Sequence, residues 1–270
     1  MRVSDYRPIA LCNILYKLIS KVLANRLKKI LHYVIFESQS TFQSSKAITD
    51  NILVAFKNLH HMKSHKSKKM GFMAMKLDMS KTYDRVEWKF LARIMEKMGF
   101  CEKWVALVLE CISTVSYSIL VNGEPKRDIK PSRGIRQGDP LFPYLFLLCS
   151  EGLNRMLQQV AANDQIRGFS LCKRGPRISH LFFVDDSLLF CRASRSDLQV
   201  IQNNLVLYEQ ASGQKLNWEK TSIFFSKTVS EETKASLSDF LGEQEVKEYE
   251  KYLGLPVVVG KNKKASFNCI

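Results

Sequence analysis

The sequence has no long apolar run and no paired-cysteine motif. Its longest apolar stretch, residues 141–149, contains a proline and is far shorter than the roughly 20 residues of a transmembrane helix. The seven cysteines include no C-x-x-C pair, and the five histidines make no zinc spacing with them. Arg2, Asp5 and Arg7 precede any apolar run, which is not the pattern of a secretory signal. We therefore expect no disulfide framework, no membrane association and an intracellular protein, nuclear or cytoplasmic.

Acidic residues are scarce in this chain. It carries 26 Asp and Glu against 41 Lys and Arg, for a formal net charge of +15 over 270 residues. A basic excess of this size indicates a polyanionic partner. Nucleic acid is favoured over an anionic membrane surface, because no basic amphipathic helix dominates the sequence. Hydrophobic residues make up 46%, which is ordinary for a globular protein and argues against disorder.

Helical and strand-like segments mix irregularly along the chain. Apolar residues recur at helical spacing over residues 14–31, 48–62, 90–98, 104–111 and 198–211, and in a long segment ending near residue 162. Strand-like runs cover residues 72–77, 117–121, 181–190 and 251–259. Residues 216–225 contain Lys220 between a turn and a further strand-like run. No internal repeat or low-complexity tract is present. This mixture predicts an α+β fold with a central antiparallel sheet.

Two adjacent acids interrupt the apolar run LFFVDDSLLF at residues 181–190. The run predicts a buried β-hairpin with Asp185 and Asp186 at its tip. Aspartate is a common turn former, so a solvated hairpin tip is the simpler interpretation of this run alone. Two adjacent carboxylates repel each other, however, and they make chemical sense mainly where a cation neutralises them.

A third acid, Asp78, follows the strand-like run of residues 72–77. The carboxyl end of an apolar strand is where α/β folds place ligand-binding groups. If this strand lies beside the hairpin, Asp78 and Asp185 can share two divalent cations, and Mg²⁺ prefers such oxygen ligands. Two cations about 3.5–4 Å apart would clamp the attacking and leaving oxygens of a phosphoryl displacement. Because alternate residues of a strand face opposite sides, we assign Asp186 a weaker or supporting role.

Other polar positions have simpler or open interpretations. Asp84 followed by Glu87 has the form of a capping box for the next helix. The segment KPSRGIRQGDP, residues 130–140, holds two arginines and Gln137 beside two glycines that let backbone approach a ligand closely. An ordinary basic loop explains it about as well, since it has no P-loop or Rossmann spacing. Lys220 could neutralise the charge of a triphosphate.

Seven segments, in order along nearly the whole chain, form a much more specific pattern than any one motif. They are DYRPIALCNILYKLISKVLANRLKKIL from Asp5, ITDNILVAF from Ile48, KLDMSKTYDRVEW from Lys76, RGIRQGDPLFPYLF from Arg133, HLFFVDDSLLF from His180, residues 213–221, and YLGLP from Tyr252. Together they resemble the reverse transcriptase of LINE-type non-LTR retrotransposons, closest to plant elements.

The resemblance implies the palm and fingers of a right-hand polymerase, with a central antiparallel sheet and a thumb that is largely absent. It implies fingers at residues 1–70, palm at 71–125, a fingers–palm helix region at 126–170, palm at 171–245, and a primer-grip region with the start of a thumb at 246–270. The implied reaction adds deoxynucleoside triphosphates to a DNA primer or target DNA on an RNA template. The implied cofactor is a pair of Mg²⁺ ions, with Mn²⁺ as a substitute.

The family's functional positions can be carried over residue by residue. The resemblance implies that Asp78, Asp185 and Asp186 are the catalytic and metal-binding acids. It also implies that Leu253 and Gly254 belong to the grip that holds the primer.

Three further positions match the family's nucleotide-binding residues. Tyr83 corresponds to the ring that screens against a ribose 2′-OH, although a core aromatic remains an alternative interpretation of it. Gln137 corresponds to a residue beside the nascent base pair, and Lys220 to a lysine near the incoming nucleotide.

The chain also departs from the family pattern. Alanine is usual where Thr82 stands, and Phe142 replaces a serine that would cap the long helix, a loss typically worth about 0.5–2 kcal/mol. Asp139 could cap one turn earlier. The sequence starts inside the family's first motif, without the fingertip hairpin that precedes it. A truncated, non-catalytic remnant that binds nucleic acid is therefore the alternative to a working polymerase core.

Overall fold

The protein is described by a computed structural model over most of its length. The described residues are 12–36, 39, 48–64, 71–80, 82–172, 175–183, 186–242, 251–252 and 255–256. Asp185, Leu253 and Gly254, which the sequence assigns to the active site and the primer grip, lie outside these ranges.

The predicted helices and strands occur in the predicted order, and the helix at Glu231–Phe240 was not predicted from the sequence. The helices are α1 Ile14–Val34, α2 Ile48–Ser64, α3 Trp88–Lys97, α4 Glu102–Ser113, α5 Phe142–Ala162, α6 Arg195–Ser212 and α7 Glu231–Phe240, with a 3₁₀ helix at Trp218–Lys220. The strands are β1 Phe72–Leu77, β2 Met79–Ser80, β3 Tyr117–Val121, β4 Glu124–Ile129, β5 His180–Phe183, β6 Asp186–Arg192, β7 Lys215–Leu216, β8 Ser222–Phe225, β9 Lys251–Tyr252 and β10 Leu255–Pro256. No helix in the described part of the chain is both long and apolar enough to cross a membrane.

The chain divides into two compact units. The first comprises Met1–Ile35, Lys81–Gly152 and Tyr208–Lys215, and the second comprises Phe36–Ser80, Leu153–Leu207 and Leu216–Ile270. The five-part division into fingers, palm and primer-grip region remains a prediction.

The second unit is built on a four-stranded antiparallel sheet in the order β5-β6-β1-β8. The predicted central antiparallel sheet is therefore confirmed. One face of it packs against α2, where Ala55, Leu59 and Met62 meet Ala74 and Leu188 in a buried cluster. Side chains alternate between the faces of a strand, so the inner strands, apolar on both faces, lie in the core.

The first unit contains α1, α3, α4 and the β3–β4 hairpin. The predicted turn at Asn122 and Gly123 is confirmed, because both residues have positive φ (54° and 82°), as a tight hairpin turn requires. Helix α1 is capped by Asn13, whose Oδ1 accepts the Leu15 N–H at 2.8 Å. Its buried stripe, including Leu23 and Leu27, has the predicted helical spacing.

The predicted capping role of Asp84 is wrong. Helix α3 begins at Trp88, and the residue at its N-cap, Glu87, makes no side-chain cap. The Glu87 N–H instead donates to the Ser212 carbonyl at 2.9 Å, and its backbone is extended. A tertiary backbone bond, which local sequence cannot reveal, therefore holds this residue out of the helix.

Candidate active site

The acids of the second unit lie at one end of the central sheet. Strand β1 ends at Leu77 and delivers Asp78, as predicted, and β6 begins at Asp186. The two strands are antiparallel neighbours, and their last pair sets Leu77 opposite Ser187, so Asp78 and Asp186 each adjoin this pair at the same end of the sheet. The prediction that the Asp78 strand lies beside the acidic hairpin is confirmed.

The hairpin itself is held by its apolar flanks. Leu181 and Phe182 on β5 and Leu188 to Cys191 on β6 are buried, whereas Asp186 is only partly buried. Burial of the strand stems on both faces fixes the register, because a slip by one residue would exchange the two faces. The sheet core therefore determines where the Asp186 carboxylate lies.

A lysine contacts this acid. Lys76 Nζ lies 3.8 Å from Asp186 Oδ1, with side chains 22% and 30% exposed respectively. Lys76 was not predicted from the sequence as a site residue, although a lysine within the otherwise apolar strand FMAMKL was an available signal. We call Asp78, Asp186 and Lys76 the acidic site.

Lys220 is connected to the acidic site through the backbone. It ends the 3₁₀ helix Trp218–Lys220, and its side chain is exposed. Asn217, the residue before this helix, donates its N–H to the Asp78 carbonyl at 2.8 Å. The structure thus brings the segment that carries Lys220 next to Asp78, and leaves the ammonium in solvent.

The donor set of the acidic site suits a hard cation. Asp78 and Asp186 offer carboxylate oxygens at adjacent strand ends, the ligand type that Mg²⁺ prefers. Over the described ranges, no three His, Cys, Asp or Glu side chains form a metal-binding group. Asp185, the third acid of the predicted set, is not among the described residues.

The first unit brings together Tyr83 and the loop that holds Gln137. The Ile135 N–H donates to the Tyr83 carbonyl at 2.9 Å, two residues before Gln137. The Tyr83 ring is half-buried and packs edge-on against Phe142 and Phe146, with ring centroids 4.4 and 5.0 Å away. Phe142, which replaces the expected serine, thus contacts the proposed ribose-screening residue.

Gln137 borders a cavity of about 670 Å³ in the first unit. Arg133, Arg136 and Ser116 add polar groups to its lining, and the β3–β4 hairpin contributes Ile119 and Ile129. Its volume is in the range of small-molecule sites, about 300–1,000 Å³. The glycine-bearing basic loop of residues 130–140 is therefore part of a cavity wall.

Tyr16 on α1 fastens this loop, a role that sequence analysis missed. Its hydroxyl donates to the buried carboxylate of Asp139, and its ring centroid lies 4.8 Å from the Arg136 guanidinium carbon. Burial, followed by the bond to Asp139, raises the pKa of the Tyr16 hydroxyl. A second ring, Tyr117, lies 5.3 Å from the same guanidinium carbon. No local pattern signals these contacts, because Tyr16 and Asp139 are 123 positions apart.

Asp139 also supplies the turn before α5. Its Oδ1 accepts the Leu141 N–H at 2.8 Å, and its carbonyl accepts the Phe142 N–H at 3.2 Å. The Asp139 side chain thus accepts a backbone N–H just before α5, which is the capping role that the sequence predicted for it.

Comparison with solved structures defines the class of fold. The chain is similar to telomerase from Candida albicans in complex with a fragment of telomeric RNA, with a TM-score of 0.56 at 16% identity over 89% of this chain and 37% of that one. It is also similar to a truncated apo telomerase from Candida tropicalis, with a TM-score of 0.54 at 16% identity over 88% of this chain and 43% of that one. The fold is that of a polymerase palm and fingers, as the resemblance implied.

Residues 2–257 match the family of reverse transcriptases (RNA-dependent DNA polymerases), and the chain belongs to this family. The transposon TX1 149 kDa protein of Xenopus laevis is 26% identical over 220 residues, covering 82% of this chain and 16% of that protein. The Pol polyprotein of the type-2 retrotransposable element R2DM of Drosophila melanogaster is 28% identical over 221 residues, covering 81% of this chain and 19% of that protein. The chain is thus homologous to non-LTR retrotransposon proteins, as predicted, and spans less than a fifth of these two relatives.

An uncharacterized mitochondrial protein of Arabidopsis thaliana is a shorter match. It is 44% identical over 68 residues, which is 25% of this chain and 56% of that protein.

Proposed function

We propose that this chain is the polymerase core of a non-LTR retrotransposon and adds deoxynucleotides to a DNA primer on an RNA template. The observation that carries the proposal is the pairing of Leu77 with Ser187, which brings the adjoining acids Asp78 and Asp186 to the same end of two adjacent strands. Membership of the reverse transcriptase family supports it. The alternative, a non-catalytic remnant, has no comparable support, since the retrotransposon relatives match over four fifths of the chain.

In this proposal Asp78, Asp185 and Asp186 hold two divalent cations, Mg²⁺ or Mn²⁺. When bound, such cations stabilise the charge that develops on the attacking and leaving oxygens of phosphoryl transfer. The acids act by position: the pairing of β1 with β6 holds Asp78 and Asp186 at rigid strand ends, and Asp185 immediately precedes Asp186 in the sequence. Rigid placement matters because phosphoryl transfer depends mainly on positioning and charge stabilisation.

The remaining residues would bind the incoming nucleotide. Lys220, exposed on its short helix, is free to reach the triphosphate and offset its charge. Tyr83 is proposed to exclude a ribose 2′-OH by steric collision, with Phe142 and Phe146 fixing the ring. Gln137 is proposed to lie beside the nascent base pair, and Leu253 and Gly254 to hold the primer.

The test is primer extension by the purified chain on an RNA template with deoxynucleotides and Mg²⁺. The parent should extend the primer, and Asp185→Asn and Asp78→Asn should lower the rate by at least about 100-fold, since a lost charge-stabilising group typically costs that much. Asp239→Asn makes the same charge change at an exposed position of α7 and should retain the parental rate. Undiminished extension by Asp185→Asn would contradict the catalytic assignment.

The proposed partners are an RNA template, a DNA primer or target DNA, and deoxynucleoside triphosphates. The net charge of +15 supports a nucleic-acid partner. The Arabidopsis match supports origin in a plant LINE-type element. All six cysteines within the described residues are free, which supports action inside the cell, in the nucleus or cytoplasm.

A further inference from the structure

Lys76 is the one charged residue of strand β1, which reads FMAMKL. Its neighbours across the sheet are Leu188 on β6 and Ser222 on β8, each 1% exposed and uncharged. A partly buried ammonium in such surroundings is costly unless an anion accompanies it. The residues paired with Lys76 across the sheet therefore do not neutralise its charge.

The anion beside it is Asp186, a proposed catalytic acid. Because Lys76 stands opposite Leu188, Asp186 is its diagonal neighbour on the same face of the sheet. On that face, Ala74 and Leu188 belong to the apolar core around α2. The stem of Lys76 lies at the edge of this core, and its ammonium reaches toward the strand end that carries the acids, 3.8 Å from Asp186 Oδ1.

We propose that Lys76 is a positioning residue that holds Asp186 when no divalent cation is bound and competes with the cation for this carboxylate. The inference rests on the proposed function, because it takes the acidic site to be the cation site. Asp78 and Asp186 each carry a formal negative charge at the same end of neighbouring strands, and these charges repel each other in the absence of a cation. Lys76 offsets one of these charges and so lowers the site's affinity for divalent cations.

The expected effect follows from the charge that Lys76 carries. Lys76→Met keeps a side chain of similar length without the charge. Two unit charges about 4 Å apart in a water-like environment attract each other with an energy equal to roughly five-fold in an equilibrium constant. A cation that displaces Lys76 from Asp186 has to overcome this attraction. Cations should therefore bind the Lys76→Met variant about five-fold more tightly than the parent, and Lys76→Arg should bind them like the parent.

The experiment measures Mn²⁺ binding to the whole chain by isothermal titration calorimetry, without nucleotide or primer. Lys227→Met is the matched control. Lys227 is exposed and lies two residues after Phe225, which pairs with Met73 at the end of β8 opposite to Ser222, the partner of Lys76. This variant removes one positive charge at a position far from the acids, so its Mn²⁺ affinity should equal that of the parent. Equal Mn²⁺ affinities for Lys76→Met and the parent would overturn the proposal. So would a Lys227→Met variant whose Mn²⁺ affinity rises as much as that of Lys76→Met.

A double-mutant cycle tests whether Lys76 acts through Asp186. In the Asp186→Asn background, Lys76→Met should change the Mn²⁺ affinity much less than it does in the parent, since the paired carboxylate is gone. A full five-fold effect in that background would show that Lys76 acts without Asp186, and the positioning role would be wrong. If Asp78→Asn and Asp186→Asn both leave Mn²⁺ binding intact, the acids are not the cation site and the proposed function fails as well.

Thermal unfolding gives a second readout with Lys76→Gln, a polar variant to use if Lys76→Met does not fold. Without the ammonium, repulsion among the acids should lower the melting temperature in EDTA, and Mn²⁺ should raise it by more than in the parent. An equal Mn²⁺-induced shift in Lys76→Gln and the parent would overturn the proposal.

Discussion

The hydroxyl of Tyr16 on α1 donates a hydrogen bond to the carboxylate of Asp139, 123 positions along the chain. Asp139 is 6% exposed and also holds the turn before α5 through its bond to the Leu141 N–H. The α1 helix thus anchors the loop that carries Gln137.

Replacing Tyr16 with phenylalanine should destabilise the first unit. The ring and its contact with Arg136 would remain, but the buried Asp139 carboxylate would lose a donor, which typically costs about 1–3 kcal/mol. Chemical denaturation measures this difference. Tyr33→Phe on the same helix is the control, since Tyr33 is 80% exposed, and its free energy of unfolding should match the parent. Equal values for both variants would mean that the Tyr16–Asp139 bond contributes no net stability.

Gly134→Ala should be more destabilising than Gly99→Ala. Both glycines have positive φ, 90° and 87°, so alanine strains the backbone similarly at each position, by about 1–2 kcal/mol. A Cβ at Gly134 would lie 2.8 Å from the backbone oxygen of Asp84, whereas at Gly99 no described atom lies within 4 Å. The difference between the losses of unfolding free energy in Gly134→Ala and Gly99→Ala therefore measures how closely Gly134 approaches the Asp84 backbone. Equal losses in the two variants would contradict this close approach.

His180 should make stability fall in mild acid. It is buried on β5, its Nδ1 lies 2.9 Å from Ser179 Oγ, and burial lowers its pKa to about 4. The unfolded value is about 6.5, so the unfolded state binds the proton first as the pH falls. The stability that comes from keeping His180 neutral is fully present above about pH 6.5. It is lost as the pH falls from about 6.5 through 4, and the loss reaches about 2 kcal/mol at pH 5.

Denaturation of the parent and His180→Gln between pH 7.5 and pH 5 checks this expectation. The parent should lose about 2 kcal/mol more than the variant over this range. Parallel losses in the two proteins would assign the pH dependence to other groups.

Tyr83→Ala should relax discrimination against ribonucleotides in primer extension. Removing the ring opens space for a 2′-OH, and the ratio of ribonucleotide to deoxynucleotide use should rise on the order of 10-fold or more. Tyr83→Phe keeps the ring between Phe142 and Phe146 and should discriminate like the parent. An unchanged ratio in Tyr83→Ala would favour the alternative that Tyr83 is simply a core aromatic.

The sequence predicted most of the local structure because the apolar patterns are strong. The β1 run ends at Asp78 as predicted, and the hairpin around Asp186 forms because its flanks are apolar on both faces. The sequence also predicted the helical spacing of apolar residues in α1 and α2, and the turn at Asn122 and Gly123. The ordered motifs identified the family.

Contacts between distant segments decided the rest. The Glu87 backbone bonds to Ser212 and so keeps Asp84 from capping α3, and Tyr16 reaches Asp139 from another helix. The pairing of Lys76 with Asp186 depends on the register of β1 against β6. Hydrophobic periodicity reports which face of an element is buried but not which residue it will face. The candidate acids could therefore be named from the sequence, whereas the residues that hold them in place required the tertiary structure.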